Sequence, residues 1–411
     1  MKSKQVEKMN CKKLFEVCEI FSGGTPFTRN KEYWDGDIPW LSSGETRNNF
    51  IVDTERKITL SGIKNSSTRL AKKGDIVVAS AGQGNTRGQV SLCLIDTYVN
   101  QSILVLRTNN EFILPKFLFY NLKSRYNELR QISDSHSSRG SLPKNVISVM
   151  DIMLPSLFKQ EKITNILFDL DLKIQNLAKK NQILEKIIQS IFKSWFIDFD
   201  GQTEFEDSEL GKIPKGWQVN DLKNSLSLLK DGSHNPPKRV ESGIRFIAGA
   251  TDVKHFIINF SKCTFITQKN YEEIHKTWKI QPQDILLTIV GTIGNVAIVN
   301  QNDLPFSLQR SLAVLRPNEK IDFVFLYCLL NSHSFKQFLY ANHNPTGQPG
   351  IYLGTLGGFQ FILPPKSLII KFFKLSHTIV SNIQKNYSNM DYLMKIHDLL
   401  LPKLMSGEIR V

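Results

Sequence analysis

Lys73-Gly74-Asp75-Ile76-Val77-Val78-Ala79 has a counterpart, Gln283-Asp284-Ile285-Leu286-Leu287-Thr288, in which Asp284 follows Asp75 by 209 residues. Both segments are short apolar runs of strand length that lead into glycine-bearing turns. The same spacing of 209 relates two other pairs of matching segments, Gln101–Arg107 with Gln309–Arg316 and Ile152–Pro155 with Phe361–Pro364. One offset shared by three separated pairs indicates that the 411-residue chain is an internal duplication.

Each copy begins with a region of mixed character and ends in a region with helical periodicity. The mixed region alternates short β-rich runs with Gly, Asn and Ser turns. The first helical region starts after Pro155, and its apolar residues recur in steps of three and four, which is typical of a coiled-coil seam. The seam residues of this region are Ile163, Leu170, Ile174, Leu177, Leu184, Ile188 and Trp195.

The second copy repeats the seam with Ile379, Ile383, Met390 and Leu400, and Pro402 is expected to close its helix. A long amphipathic helix needs a partner for its apolar stripe, and the equivalent helix of the other copy is the natural one. Asn181 falls on the seam, where it either fixes the register of the pair or faces solvent at a local skip.

These patterns predict an α+β chain with two tandem α/β domains separated by a long antiparallel two-helix coiled coil. The predicted divisions are a first domain at 1–155, a first long helix at 156–200, a second domain at 201–365 and a second long helix at 366–411.

The composition limits the class of protein. Hydrophobic residues make up 41% and charged residues 22%, which is an ordinary globular balance. Lys and Arg number 52 against 38 Asp and Glu, and the net charge of +14 favours a polyanionic partner. We expect a cytoplasmic protein, since there is no secretory leader, no apolar run long enough to span a membrane and only five scattered cysteines.

Motifs that could carry catalysis are weak. Asn235-Pro236-Pro237-Lys238 resembles the Asn-Pro-Pro-aromatic motif of adenine-N6 methyltransferases, but Lys238 occupies the position of the aromatic ring that stacks on a flipped base. Gly82–Gly88 precedes an alternating, strand-like segment instead of a helix, so it predicts a β-hairpin turn and no dinucleotide site. The eight histidines show no paired metal-ligand spacing, and we expect no metal site.

The opening of the second copy carries the resemblance to a known family. Gly211-Lys212-Ile213-Pro214-Lys215-Gly216-Trp217 follows shortly after a helix that ends Ser194-Trp195-Phe196-Ile197-Asp198-Phe199. With the duplicated plan, this junction closely resembles the specificity subunit of type I restriction–modification systems. The first copy has only Cys11-Lys12-Lys13-Leu14 at the corresponding place, which leaves the start of its domain undefined.

The resemblance implies that each domain is a target-recognition domain that reads one half of a bipartite, asymmetric sequence in double-stranded DNA. The helix pair would set the gap and dock two methyltransferase subunits, and restriction subunits would join through them. The chain itself would be non-catalytic and bind no cofactor. S-adenosylmethionine, ATP and Mg would be bound by the partner subunits, and no membrane is involved.

DNA contacts are expected in polar, glycine-bearing loops, where side chains reach base edges and phosphates. In the first domain the candidates are Trp40, Ser42, Ser43, Arg47, Gln83, Asn85, Arg87, Ser137, Ser138 and Arg139. In the second they are Ser233, His234, Asn235, Lys238, Lys254, Asn344, Thr346 and Gln348. The seam residues named above, with Asn181, are the candidates for the spacer and for subunit docking.

Two other functions remain open from the sequence. A self-contained adenine-N6 methyltransferase would use Asn235–Lys238 and would itself bind S-adenosylmethionine. A coiled-coil scaffold with protein-binding domains would show no preference among DNA duplexes.

Overall fold

The computed structural model describes residues 10–136, 140–249, 252–254, 256–344 and 349–411. The chain forms two compact units. Unit 1 comprises Met1–Ile174 and Tyr392–Val411, and unit 2 comprises Gln175–Asp391. Each unit therefore contains a part of both long helices, and the four-part division predicted from the sequence remains a prediction.

Unit 1 contains eleven of the described strands, most of them short. They are β1 (Asn10–Lys13), β2 (Cys18–Ser22), β3 (Trp34–Leu41), β4 (Phe50–Ile51), β5 (Arg56–Ile58), β6 (Arg69–Ala71), β7 (Ile76–Ala79), β8 (Val90–Cys93), β9 (Thr97–Val99), β10 (Ile103–Thr108) and β11 (Asp151–Leu154). Its short helices are α1 (Leu14–Val17), α2 (Leu60–Lys64), α3 (Pro115–Ser124), α4 (Tyr126–His136) and α5 (Lys144–Ser148).

A five-stranded sheet with the order β2-β10-β7-β8-β4 forms the centre of unit 1. Strand β7 is buried on both faces. Ile76 and Val78 pack into a core that includes α3, and Val77 packs on the opposite face with Val105. This two-sided burial explains why the sequence of β7 is continuously apolar. A four-stranded sheet, β5-β3-β9-β6, and the pair β1-β11 complete the unit.

Unit 2 repeats this plan. Its described strands are β12 (Phe205–Ser208), β13 (Gly211–Pro214), β14 (Gln218–Asp221), β15 (Leu226–Asp231), β16 (Ile244–Ile247), β17 (Val253–Lys254), β18 (Ile257–Ile258), β19 (Thr264–Ile266), β20 (Ile285–Thr288), β21 (Val296–Ile298), β22 (Phe306–Leu308), β23 (Leu312–Pro317) and β24 (Gln360–Leu363). Its short helices are α7 (Gln268–Ile274), α8 (Phe323–Asn331), α9 (His333–Asn342) and α10 (Leu353–Gly357).

The strand orders show that the duplication extends to topology. The sheet β15-β23-β20-β21 of unit 2 matches β2-β10-β7-β8 of unit 1, and β19-β16-β22 matches β5-β3-β9. Strands β20, β22, β23 and β24 each begin 209 residues after β7, β9, β10 and β11, respectively. The sequence repeat is therefore a repeat of whole strand-paired layers.

A buried ion pair recurs at the same place in both units. Asp75 is 4% exposed, and its carboxylate accepts from the guanidinium of Arg107 at 2.7 Å. In unit 2, Asp284 is fully buried and accepts from Arg316 at 2.7 and 2.8 Å. Asp75 also accepts from the N–H of Lys72. The Lys-Gly-Asp motif before β7 is thus the turn that presents a buried carboxylate to the neighbouring strand.

The two long helices are α6 (Leu157–Phe196) and α11 (Lys366–Met405), each of 40 residues. In unit 2 the Phe372 ring lies 5.9 Å from Phe192 and 5.2 Å from Phe196. Asn181 bonds with the carbonyl of Ile383, so residue numbers rise along one helix as they fall along the other. The packing is therefore antiparallel, and the predicted mixed α and β fold with a paired-helix element is confirmed.

The expectation that Pro402 closes the second helix is wrong. Helix α11 continues to Met405 with Pro402 inside it, and the N–H of Ser406 still donates to the Pro402 carbonyl at 2.9 Å. Pro402 stands in the last turn, where its missing N–H removes only one bond near the helix end. Among the described helices, none combines the length and apolar character that a membrane span requires.

Candidate nucleic-acid interface

Backbone hydrogen bonds bring several turns of unit 1 together. The N–H of Ser80 donates to the Ser102 carbonyl at 2.9 Å, and the N–H of Leu142 donates to the Ser80 carbonyl at 2.8 Å. The N–H of Gly24 donates to the Val99 carbonyl at 3.1 Å. We call the assembled segments 23–30, 80–88, 99–102 and 140–142 the unit 1 loop cluster.

Unit 2 forms the same arrangement at the offset of 209. Ile289 donates to the Ser311 carbonyl at 2.9 Å, Ile351 to Ile289 at 3.0 Å and Ser233 to Leu308 at 2.9 Å, in each case through the backbone N–H. Segments 232–238, 289–294, 308–311 and 349–351 form the unit 2 loop cluster. The frame of the loops is thus duplicated, although their side chains differ.

Gln83 and Asn85 are exposed in the glycine-bearing loop of the unit 1 cluster, as expected for residues that read DNA. The loop backbone is held from helix α4. The guanidinium of Arg130 donates to the Gly84 carbonyl at 2.8 Å, and the hydroxyl of Tyr126 donates to the Asn85 carbonyl at 2.9 Å. Gln83 and Asn85 are therefore presented on a positioned backbone.

Arg87 occupies a different environment from these amides. Its guanidinium forms an ion pair with Asp134 at 2.7 Å, and its side chain is 14% exposed. It also lies 3.5 Å from the hydroxyl of Ser133. These contacts tie the end of the loop to α4, so the geometry favours a positioning role for Arg87 over direct phosphate contact.

The predicted residues near β3 divide between structural and exposed positions. Trp40 is 4% exposed, and its indole N–H donates to the Gly24 carbonyl at 3.3 Å. Ser42 accompanies Glu45 in a capping arrangement, and Ser43 is half-buried beside it. Arg47 is exposed but is paired with Glu55. Trp40 therefore supports the cluster from inside.

Several predicted residues cannot be placed. Ser137, Ser138 and Arg139 lie outside the described residues, as do Thr346 and Gln348. For Lys254 the backbone is described as part of β17, but the side chain is not.

The remaining predicted residues of unit 2 lie at its loop cluster. Ser233 is half-buried, and its hydroxyl donates to the Asn235 carbonyl at 2.9 Å. His234 is exposed and lies 2.8 Å from the carboxylate of Asp231. Lys238 is exposed, and Asn344 donates through its N–H to the Gly350 carbonyl at 2.8 Å. The structure thus brings these residues to one cluster.

Lys336 was missed by the sequence analysis. Its ammonium donates to the Gly294 carbonyl and so holds the second glycine-bearing loop from helix α9. Burial lowers the pKa of Lys336 to about 8. It does for unit 2 what Tyr126 and Arg130 do for unit 1. No local motif marks these three residues, because each contacts a loop more than 40 residues away.

The predicted seam residues face protein. Ile163, Leu177, Ile188 and Ile383 are buried, and Leu170, Ile174, Leu184, Trp195, Ile379, Met390 and Leu400 are half-buried. They pack within the chain, which supports the spacer part of the prediction. Docking of another subunit requires other, exposed side chains.

Polar residues are also buried in the helix pair. Asn181 is 2% exposed; its amide donates to the Ile383 carbonyl at 3.2 Å and its side-chain oxygen accepts from Asn386 at 2.8 Å. The reading in which Asn181 faces solvent is therefore not the one observed. In unit 1 the hydroxyl of Tyr120 donates to Asp171 at 2.8 Å, and His397 lies 3.8 Å from the same carboxylate.

The described residues hold no group of three or more His, Cys, Asp or Glu side chains that could bind a metal ion. Asn235 and Lys238 are exposed in a loop. A methyltransferase needs a pocket that encloses a flipped base, so the tetrapeptide lacks the surroundings that its chemistry would require.

Comparison with known proteins gives a consistent result. The family model described as the type I restriction modification DNA specificity domain matches residues 6–186 and 228–395. The type I restriction enzyme MjaIX specificity subunit of Methanocaldococcus jannaschii is 31% identical, over 97% of this chain and 93% of that protein. The HindI specificity subunit of Haemophilus influenzae is 24% identical, over 91% of this chain and 94% of that protein.

A solved structure shares the fold. The crystal structure of the type I restriction–modification system S subunit from M. genitalium superposes with a TM-score of 0.62 at 16% identity, covering 98% of both chains. Two family matches, one for each copy, account for most of the sequence. With its duplicated loop clusters and paired helices, the chain belongs to the type I restriction–modification specificity subunits, which confer DNA specificity and are not themselves catalytic.

Proposed function

We propose that each loop cluster reads one half of a bipartite, asymmetric sequence in double-stranded DNA. The observation that supports this is one frame with different exposed side chains. The N–H bonds of Ser80 and Ile289 occur at equivalent positions, yet the unit 1 loop exposes Gln83 and Asn85 where unit 2 has Thr292 and Gly294. Equivalent scaffolds with different polar groups would read different base pairs.

The test is methylation mapping by the assembled complex. Gln83→Ala with Asn85→Ala should relax recognition in one half-site and leave the other half-site and the gap unchanged. Asn270→Ala, an exposed amide on α7 of unit 2, is the matched control and should change nothing. Loss of specificity at both half-sites, or at neither, would contradict the assignment of one cluster to one half-site.

The helix pair is proposed to set the gap. Asn181 contacts Ile383 and Asn386, so lengthening α6 alone would displace these partners. A heptad inserted after Asn181 should therefore be accompanied by a heptad in α11 after Ile383. The expected result is a different tolerated gap with both half-sites preserved; an unchanged gap in a folded, active variant would exclude the spacer role.

Exposed apolar residues on both helices are proposed to dock two methyltransferase subunits, through which restriction subunits join. Ile166 and Ile183 of α6 are 39% and 49% exposed. Their counterparts 209 residues later, Leu375 and Tyr392 of α11, are 46% and 67% exposed. Repeated apolar positions on two equivalent helices fit two copies of one partner.

Native mass spectrometry of the complex tests this docking. Ile166→Glu with Ile183→Glu should remove one methyltransferase copy, and Leu375→Glu with Tyr392→Glu should remove the other. Retention of both copies in both variants would exclude these surfaces. We propose that S-adenosylmethionine, ATP and Mg bind to the partner subunits of this cytoplasmic assembly, and the isolated chain should show no S-adenosylmethionine binding by calorimetry.

A further inference from the structure

A turn of the unit 1 loop cluster is held by two tryptophans. The indole N–H of Trp40 donates to the Gly24 carbonyl, and that of Trp34 donates to the Phe27 carbonyl, both at 3.3 Å. The N–H of Asn30 also donates to the Phe27 carbonyl, at 3.1 Å, which closes the turn Phe27–Asn30. The two indoles pack edge to face, with ring centres 5.0 Å apart. The turn is therefore positioned by buried side chains.

The turn joins the loops that are proposed to read DNA. The N–H of Gly24 donates to the Val99 carbonyl, and the hydroxyl of Thr25 donates to the side chain of Gln101. Residues 99–102 in turn bond with Ser80, at the start of the loop that carries Gln83 and Asn85. The turn thus lies at the same edge of unit 1 as those amides.

Its tip exposes an aromatic ring and a cation. Phe27 is 64% exposed, and Arg29 is exposed at the centre of the turn. Within the described part of the chain, Arg29 has no recorded ion pair or hydrogen bond through its side chain. Arg47 and Arg87, by contrast, are paired with Glu55 and Asp134. Arg29 is accordingly available to an anion without first breaking an internal pair.

The duplication provides an independent observation. At the offset of 209, Gly24 corresponds to Ser233, whose N–H makes the equivalent backbone bond to Leu308. Arg29 corresponds to Lys238, also exposed, while Phe27 corresponds to Pro236. The cation is present in both copies and its neighbour is different. This is the pattern expected when the cation meets the DNA backbone and the neighbour meets bases.

We propose that the Phe27–Asn30 turn is a DNA-contacting element of unit 1, in which Arg29 binds a phosphate and Phe27 makes an apolar contact with a base edge such as the thymine methyl group. Lys238 is the phosphate-binding counterpart in unit 2. The proposal rests on the proposed function and adds residues outside the loops predicted from the sequence. An aromatic side chain against a thymine methyl is a recognised mode of major-groove readout.

The test uses full-length chain assembled with its methyltransferase subunits and duplexes that carry the mapped target. Arg29→Ala should weaken binding to every duplex, and the slope of log affinity against log salt should fall by about 0.9. Lys238→Ala should act in the same way. Lys320→Ala is the matched control; it removes one exposed lysine beyond Pro317, at the opposite end of β23 from the unit 2 loop cluster.

Phe27→Ala should instead reduce discrimination at one base pair of one half-site, by roughly 5- to 150-fold, with an unchanged salt slope. Its control is Phe15→Ala, which removes an equally exposed ring (59%) from α1, at the opposite end of β2 from the cluster. Equal thermal midpoints of the four variants would show that folding is retained.

Two failures are distinguishable. If the wild-type complex shows no preference among duplexes, the proposed function fails and the inference fails with it. If the wild type is selective but Arg29→Ala and Phe27→Ala match their controls, the turn does not contact DNA and only the inference is overturned.

Discussion

Asp284 is fully buried and receives two hydrogen bonds from Arg316, and the same pair stands 209 residues earlier as Asp75 and Arg107. In both units the arginine also donates to a backbone carbonyl, that of Leu70 at 3.2 Å or Lys279 at 2.7 Å. Each pair therefore fastens a central strand to the turn that precedes its neighbour. Few contacts in the chain are duplicated in such detail.

Removal of one partner should be costly, because it leaves an uncompensated charge in the interior. Asp284→Ala should lower the free energy of unfolding by about 3–5 kcal/mol. Chemical denaturation checks this, with the exposed Glu319→Ala as control. A change below about 1 kcal/mol would show that the buried pair contributes little to stability.

The cluster of Tyr120, Asp171 and His397 should behave differently from its apolar equivalent. The offset places Leu329, Val380 and Ile188 at the corresponding positions of unit 2, and all three are buried. Asp171→Val alone leaves the Tyr120 hydroxyl without its acceptor and should destabilise by about 1–3 kcal/mol.

The triple change Tyr120→Leu, Asp171→Val and His397→Ile transplants the apolar set into unit 1. It should recover most of the loss, since buried polar groups can be replaced by packed apolar ones with little change in stability. Thermal denaturation of the two variants beside wild type decides this, and a triple variant less stable than Asp171→Val would contradict it.

Asn181 should contribute to the pairing of the helices. Asn181→Ala leaves Asn386 and the Ile383 carbonyl without partners inside the pair, and stability should fall by about 1–3 kcal/mol. Gln182→Ala, one residue along on the exposed side of α6, is the control and should stay within about 0.5 kcal/mol of wild type. Equal effects of the two substitutions would argue against a specific role.

Lys336 should give unit 2 a pH-dependent stability. Burial lowers its pKa to about 8, below the value of about 10.4 for an unfolded lysine. Between these values the unfolded chain binds more protons than the folded chain, so this residue makes stability rise with pH from about 8 to about 10.4. Subtracting the stability profile of Lys336→Met from that of wild type should show this rise; a flat difference would refute it.

Arg87 and Arg29 should differ in their dependence on salt. Since Arg87 is engaged by Asp134, Arg87→Ala should weaken DNA binding by loosening the loop and leave the salt slope unchanged. Arg29→Ala should reduce the slope by about 0.9. A reduced slope for Arg87→Ala would show that its guanidinium reaches a phosphate in the complex.

The fold was predictable to the extent that it is written in local periodicity. The continuous apolar run of β7 and the seam of α6 carry their burial in their own sequence, and one offset relates each to its copy. The end of α11 was not predictable in this way, because Pro402 breaks a bond that matters little in a final turn.

The candidate site was less predictable, since its geometry comes from contacts between distant segments. The partner of Arg87 is 47 residues away, and the indole that holds Gly24 is 16 residues away. Composition identified the loop of Gln83 and Asn85 but gave no information on which cations were already paired. Arg29 could have been found by projecting Lys238 back by 209 residues, although the intervening residues differ.

Helices α6 and α11 have the same length and start at the same interval after β11 and β24. A genetic exchange at the Leu154–Pro155 and Leu363–Pro364 junctions would consequently keep helical phase and strand register intact. Reading heads could be traded between related chains as interchangeable cassettes, each exchange yielding a new address on an unaltered chassis.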